Sequence, residues 1–122
     1  RKMRVELRIP FDEPDFLKNS VLFAPGNWGA RFESVKKNPL TALCVMPKEL
    51  GPAPANVNPH ERNNLWQLYT ALSLGQEKIR FICLWDRKEG HGPGGTRHMH
   101  DEVMKRSGRV HVIDLKGLTR CH

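Results

Sequence analysis

Short apolar runs alternate with longer, polar-patterned stretches along the chain. Four runs have the length and composition of buried strands, and they lie at residues 20–23, 41–46, 80–85 and 110–115. The run at 41–46 is continuously apolar, which is typical of a strand covered on both faces, as in a parallel sheet. A further run at residues 4–9 alternates in polarity and predicts an added edge strand.

Three stretches between these runs carry apolar residues at helical spacing, and they lie at residues 28–37, 60–74 and 96–106. The second has the clearest apolar stripe, formed by Leu65, Leu68, Tyr69 and Leu72. Pro59 opens this helix and Gly75 stops it. The segment at residues 46–60, rich in proline, is predicted to be a loop.

The resulting βαβαβαβ order predicts an α/β fold. We expect a three-layer Rossmann-like sandwich with a mostly parallel sheet of four strands plus the N-terminal edge strand. We expect residues 1–122 to form one domain, with an edge strand and a linker in residues 1–15. Because the chain begins at Arg1, we also expect it to be a segment of a longer protein or a matured product.

Composition and charge narrow the function classes. Of the 122 residues, 39% are hydrophobic and 27% charged, which excludes wholesale disorder. The net charge is +7, but the basic clusters are not interleaved with aromatic residues, so a nucleic-acid partner is not expected. No apolar run approaches the ~20 residues that cross a bilayer, so no membrane partner is expected either. Three irregularly spaced cysteines favour the reducing cytoplasm.

The most informative candidate site is the glycine-rich loop at residues 86–95, which joins a strand to a helix. Its glycines expose backbone N–H groups, and the positive end of the following helix dipole favours an anion. Thr96 either caps that helix or donates its hydroxyl to a phosphate. We therefore expect Gly92, Gly94, Gly95 and Thr96 to bind an anionic ligand, the alternative being a plain connector. Without a ligand, this loop should be the least ordered part of the protein.

Other polar residues lie near the same predicted edge of the sheet, where strands lead into helices. Arg62, Asn63 and Asn64 occupy the first turn of the main helix and either bind a phosphate or ribose or serve as capping and surface residues. Asp86 ends a strand and is either a ligand-contacting carboxylate or the first residue of a turn. His98 is either a ligand contact or general acid/base, or a solvent-exposed side chain.

Metal and covalent chemistry are not expected. His98 and His100 are two residues apart, so on a helix they point about 200° apart and cannot share an ion. No Ser/His/Asp or Cys/His constellation can be argued from spacing. We expect no cofactor other than a nucleotide ligand. The candidate catalytic residues are Asp86, Glu102 and His98.

Two stretches resemble a known module. Residues 59–66 read PHERNNLW, and residues 84–99 contain LWD followed by GPGGTRHM. Together they are similar to the pattern ERNNxW…LWDGxxGxGPGGTxHM of a module in multidomain bacterial signalling proteins, where it accompanies caspase-like, nucleotide-cyclase or tetratricopeptide regions. The resemblance spans about residues 50–115 and implies a Rossmann-like fold.

The Gly-Gly-Thr turn is also distantly analogous to the Gly-Gly-x-Gly-Thr nucleotide loop of the lysine-decarboxylase-like (LOG) and SLOG proteins. In this chain Arg97 follows Thr96 directly and the second half of that motif is missing. This departure argues against a phosphoribohydrolase activity.

Three hypotheses follow. The first is a domain of a bacterial signalling or defence protein that senses a nucleotide or nucleotide-derived ligand and reports to other domains of the same chain. The second is an enzyme that hydrolyses the N-glycosidic bond of a nucleotide, with Asp86 or Glu102 near the ribose. The third is a ligand-free interaction scaffold that associates with a second copy. The sequence leaves open whether the protein is an enzyme.

Overall fold

The computed structural model describes residues 2–88 and 95–118, without the side chain of Lys116. The chain divides into two compact units, Arg1–Pro52 and Ala53–His122, called unit 1 and unit 2 below. Each unit contains a pair of parallel strands joined through helices. The protein is therefore mixed α/β with parallel strands, as the alternation of the sequence predicts.

Unit 1 contains two strands and three helical segments besides a short 3-10 turn. In chain order they are β1 (Val5–Ile9), α1 (Glu13–Phe16), a π-helix (Leu17–Val21), α2 (Trp28–Lys37), β2 (Thr41–Val45) and the 3-10 turn (Lys48–Leu50). Strand β1 runs parallel to β2, with Val5 opposite Thr41 and Ile9 opposite Val45. The alternating run at residues 4–9 is thus confirmed as a strand.

The predicted strand at residues 20–23 is wrong. The backbone N–H of Leu22 donates to the carbonyl of Leu17 at 2.8 Å, which closes the last turn of the π-helix. A short apolar run cannot be distinguished from a buried helical segment by its composition alone. Pro14 in the first turn of α1 starts the helical path that the run continues.

Unit 2 contains the remaining elements. They are α3 (Pro59–Leu72), a 3-10 turn (Gln76–Lys78), β3 (Phe81–Trp85), α4 (Thr96–Arg106), β4 (Val110–Asp114) and the short α5 (Leu115–Leu118). Strands β3 and β4 are parallel, with Phe81 opposite Val110 and Trp85 opposite Asp114. The predicted bounds of α2 and α4 are confirmed, and α3 begins one residue earlier and ends two residues earlier than predicted.

The strands form two separate pairs in the described residues, β1 with β2 and β3 with β4. The predicted single four-stranded sheet is not confirmed. One face of β3 is open to solvent, because Ile82 and Leu84 are 65% and 52% exposed while Cys83 between them is buried. In the same part of the chain, no helix combines the length and apolarity needed to cross a bilayer.

The core of unit 2 lies between its helices and the inner face of β3. Val103 of α4 is fully buried, and Leu68 of α3 and Cys83 are nearly so. The stripe predicted for α3 is correct at Leu68, but Tyr69 is exposed and contacts α4 through its hydroxyl, which lies 3.2 Å from Nη2 of Arg106. This contact joins α3 to α4, and the candidate site forms between these two helices and β3.

Candidate functional site

A cavity of about 300 Å³ opens in unit 2 between β3, α3 and the first turn of α4. We call it the amide cavity, and its lining residues are Asn64, Gln67, Phe81, Cys83, Leu84, Gly95, Thr96 and Met99. The polar side chains among these residues belong to Asn64, Gln67 and Thr96. No charged side chain of the described residues lines it.

The start of α3 explains why Asn64 and Gln67 both line the cavity. The side chain of Asn58 accepts a hydrogen bond from the backbone N–H of His60 at 2.8 Å, and Pro59 occupies the first helical position. With the helix fixed from this cap, Asn64 and Gln67 lie three residues apart and share one face. Asn63 is buried and is not among the residues that line the cavity.

The first turn of α4 differs from the prediction. Gly95 is the N-cap, with extended backbone (φ −76°, ψ 176°), and its carbonyl accepts from the N–H of Met99 at 3.2 Å. Thr96 is the first residue of the helix, so its predicted role as the N-cap is wrong. Among residues 2–88 and 95–118, no side chain caps the turn, and the turn itself contains no acidic residue. Its N–H groups carry the positive end of an eleven-residue helix dipole, which favours an anion.

The structure brings together only part of the predicted ligand site. Asn64, Gly95 and Thr96 line one cavity, whereas Arg62, also in the first turns of α3, is not among the lining residues. Gly92 and Gly94 lie outside the described residues. The predicted mobility of the 86–95 loop likewise falls mostly on residues 89–94, outside the described part of the chain.

His98 joins the two helices that carry the cavity. Its Nε2 lies 3.3 Å from Oε1 of Glu61 on α3, and both side chains are about one-quarter exposed. Its Nδ1 is buried and has no hydrogen-bond partner within residues 2–88 and 95–118. His98 is thus a partly buried bridge between α3 and α4 rather than a solvent-exposed side chain.

Asp86 initiates a turn directly after β3. Its Oδ1 accepts the backbone N–H of Lys88 at 3.0 Å, and Arg87 between them has a positive φ of 61°. The indole N–H of Trp85 donates to the carbonyl of Lys88 at 3.3 Å and closes the same turn. The turn-initiating interpretation of Asp86 is therefore observed, and this carboxylate holds the start of the glycine-rich loop.

Glu102 forms an ion-pair network on α4. It accepts from Nη1 of Arg106 and from Nζ of Lys105 at 3.1 Å. The hydrogen bond from Arg106, supported by Lys105, lowers the pKa of the Glu102 carboxyl below its ordinary value. Glu102 therefore stays ionised, which is unsuited to a general acid, and it is not among the residues that line the amide cavity.

Cys83 lines the cavity but is not set up as a nucleophile. Burial raises the pKa of its thiol, and the positive charge of Arg87 only partly opposes that effect. The thiol is therefore protonated at neutral pH. Across residues 2–88 and 95–118, no group of three or more His, Cys, Asp or Glu side chains is placed to hold a metal ion.

Sequence reasoning missed Gln67 and the β3 residues of the cavity. Gln67 follows Asn64 by three residues on a predicted helix, and this spacing is the signal that could have revealed it. Phe81 and Cys83 alternate along β3 toward the helices, but their direction depends on which sheet face the helices cover. The sequence alone does not show which face of the sheet the helices cover.

Comparisons of this chain with protein-family models, curated proteins and solved structures found no match. Any inference about its function therefore depends on the geometry of the protein itself. The amide cavity offers neutral hydrogen-bonding groups and an apolar wall, next to a helix N-terminus that favours an anion. This arrangement can hold a ligand that has a neutral polar ring and a negatively charged group.

Proposed function

We propose that unit 2 binds a nucleotide or nucleotide-derived ligand in the amide cavity, and that the chain is a ligand-sensing domain of a bacterial signalling or defence protein. One observation carries the proposal: the carboxamides of Asn64 and Gln67 meet Thr96 and the N-terminus of α4 around a single cavity. Its volume of about 300 Å³ lies at the lower end of the range for small-molecule sites.

The neutral lining of the amide cavity determines which part of a nucleotide it would accommodate. Carboxamides pair with the edges of nucleobases, because each offers one acceptor and two donors in a plane. Phe81 and Met99 supply apolar surface for the flat faces of a base. A phosphate gains most at the N–H groups of the first α4 turn, beside Gly95 and Thr96. On this proposal, the base occupies the amide cavity and the phosphate binds at its α4 end.

The resemblance of residues 50–115 to the bacterial signalling module supports a sensing role. The competing hydrolase needs a carboxyl group that can protonate or activate a group at the ribose. Glu102 is ionised in its pair with Arg106, and Asp86 accepts a backbone hydrogen bond in its turn. These contacts favour sensing over hydrolysis, and turnover assays separate the two.

The test is isothermal titration of the 122-residue chain with AMP, NAD and cyclic nucleotides, and with the matching nucleosides. We expect at least one nucleotide to bind with a micromolar Kd and its nucleoside to bind more weakly. The proposal fails if no nucleotide binds below millimolar concentration. If a bound nucleotide is hydrolysed by the wild type but not by Asp86→Asn, the protein is the hydrolase instead.

Two substitutions of one residue isolate the phosphate contact. Asp and Asn are both good N-caps, so Gly95→Asp and Gly95→Asn should fold alike and differ by one negative charge. We expect Gly95→Asp to bind the nucleotide at least tenfold more weakly than Gly95→Asn, and both to bind the nucleoside equally. Asn64→Ala should weaken nucleotide and nucleoside alike, whereas Asn56→Ala, at an exposed loop position, should change neither. Equal nucleotide affinity of the two Gly95 variants would contradict the proposed phosphate position.

A further inference from the structure

A second cavity lies in unit 1 and belongs to none of the predicted sites. Its volume is about 450 Å³, within the range of small-molecule sites. Three segments line it: β1 through residues such as Leu7 and Ile9, the π-helix and its flanks, and one face of α2. We call it the apolar pocket.

The pocket is built from side chains that would normally fill a core. Trp28, Phe32 and Val35 lie on α2 at helical spacing and line the pocket. Trp28 and Val35 are nevertheless 47% and 45% exposed, so their apolar surface faces open space. The ring of Phe16 lies 5.9 Å from that of Phe32, between centroids, and links the two helical walls. Such a concave apolar surface is typical of a ligand site.

The charged groups around the pocket are of one sign. Arg8 and Arg31 are its only charged lining residues among the described ones. The guanidinium carbon of Arg31 lies 4.8 Å from the centroid of the Trp28 ring, so stacking holds this cation beside the apolar space. Arg8 contacts the Glu6 carboxylate at 2.9 Å, which leaves Arg31 as the main anchor for an outside anion.

One polar side chain in the wall of the apolar pocket, that of Ser20, lacks a hydrogen-bond partner among the described residues. The hydroxyl oxygen of Ser20 is buried and has no hydrogen-bond partner within the described residues. Ser20 belongs to the π-helix, a rare geometry that is frequent at functional sites. The unpaired hydroxyl makes this wall of the pocket locally unfavourable.

From these observations we propose that the apolar pocket binds a small monocarboxylate with an aromatic or medium-length aliphatic body. The apolar lining requires an apolar body, and a planar carboxylate matches the guanidinium of Arg31. A multiply charged phosphate ligand would lose more solvation in this apolar surrounding. The site is independent of the amide cavity, because all of its lining residues belong to unit 1.

The test compares three probes of one shape on the 15N-labelled 122-residue chain: 2-naphthoate, 2-naphthylmethanol and 2-naphthylmethylammonium. The three tryptophans, Trp28, Trp66 and Trp85, give separate indole N–H signals, and Trp28→Phe assigns the one in the pocket. We expect 2-naphthoate to shift the Trp28 signal alone and to bind about tenfold more tightly than the alcohol. The ammonium probe should bind most weakly.

A matched pair of variants assigns the charge preference. Arg31→Met removes the cation and retains the length of the side chain, and Lys37→Met removes a cation of the same helix that does not line the pocket. We expect Arg31→Met to bind acid and alcohol equally, and Lys37→Met to keep the tenfold difference. Circular dichroism checks the fold, and Arg31→Gln replaces Arg31→Met if the latter unfolds. The proposal is overturned if no probe shifts Trp28 at millimolar concentration, if all three probes bind equally to the wild type, or if the preference survives without Arg31.

Discussion

Nε2 of His98, in the first turn of α4, lies 3.3 Å from Oε1 of Glu61, in the first turn of α3. The pair therefore links the starts of the two helices that line the amide cavity. Neither residue lines the cavity itself, although His98 is one of the predicted ligand contacts. We propose that their contact positions the two helices around the site.

The first prediction concerns this pair. A double-mutant cycle with Glu61→Gln and His98→Ala should give a coupling of about 0.5 kcal/mol in the free energy of unfolding, the size expected for a partly exposed side-chain contact. Either substitution should also weaken nucleotide binding several-fold, because the two walls of the cavity are then held less firmly. Denaturant titration and calorimetry measure the two effects. Strict additivity in both would show that the contact has no positioning role.

The second prediction concerns Glu102 and pH. Its pKa is lowered from an ordinary value of 4.5 by the Arg106 hydrogen bond. A carboxyl with a lowered pKa stabilises the folded state above its unfolded pKa, and that contribution is lost as the pH falls through the folded value. Glu102→Gln should therefore destabilise the protein by about 0.5 kcal/mol at pH 7 and by much less at pH 3. Glu49→Gln, at an exposed position, is the control, and denaturant unfolding at both pH values is the measurement. A Glu102→Gln effect that is the same at both pH values would disprove the assignment.

The third prediction separates the two roles of Asp86. If its structural task is to accept the Lys88 N–H, Asn can replace it, whereas Ala cannot. Asp86→Ala should lower the free energy of unfolding by about 1 kcal/mol, and Asp86→Asn by less than half of that. Thermal unfolding of both variants measures the difference. Equal losses would mean that the charge, rather than the hydrogen-bond acceptor, holds the turn.

The fourth prediction concerns Gly75, which follows α3 with a φ of 117°. A Cβ added there would meet Oε1 of Glu77 at 2.5 Å. The Glu77 side chain can rotate away, but the backbone angle remains unfavourable for any L-residue with a Cβ. Gly75→Ala should therefore cost about 1–3 kcal/mol of folding free energy. Gly108→Asn is the control, because Gly108 has a left-handed φ of 67° with open space around it and Asn tolerates that region. If both substitutions cost the same, backbone strain at Gly75 is not the cause.

The three long helices α2, α3 and α4 and all four strands of the described residues could be predicted because their signals are local. Thr96–Arg106 is bounded by glycines and carries inward-facing Val103, so periodicity alone defines it. The strand prediction for residues 20–23 was wrong because the local signal there is misleading. Phe16, Leu17, Ser20 and Val21 recur at helical spacing, but the run of Val21, Leu22 and Phe23 dominates the pattern when it is read by itself.

Strand pairing and cavities could not be predicted, because they depend on three-dimensional packing. Nothing in the alternation of residues 4–9 indicates that their partner is β2. For the same reason, the sequence suggested that Arg62 and Asn64 act together, while the structure places only Asn64 on the amide cavity. Helical spacing identified Trp28, Phe32 and Val35 as one face, but not that this face lines an open pocket.

The parallel pairing of β1 with β2 has a consequence for protein synthesis. Every strand hydrogen bond of unit 1 joins residues that precede Pro52, with Val5 opposite Thr41. On the ribosome, this pair can close as soon as β2 has left the exit tunnel, before any of α3 is exposed. The β3–β4 pair has to wait until Val110–Asp114 has emerged, because parallel strands form no local hairpin. Translation therefore gives the apolar pocket its sheet wall well before the amide cavity is complete.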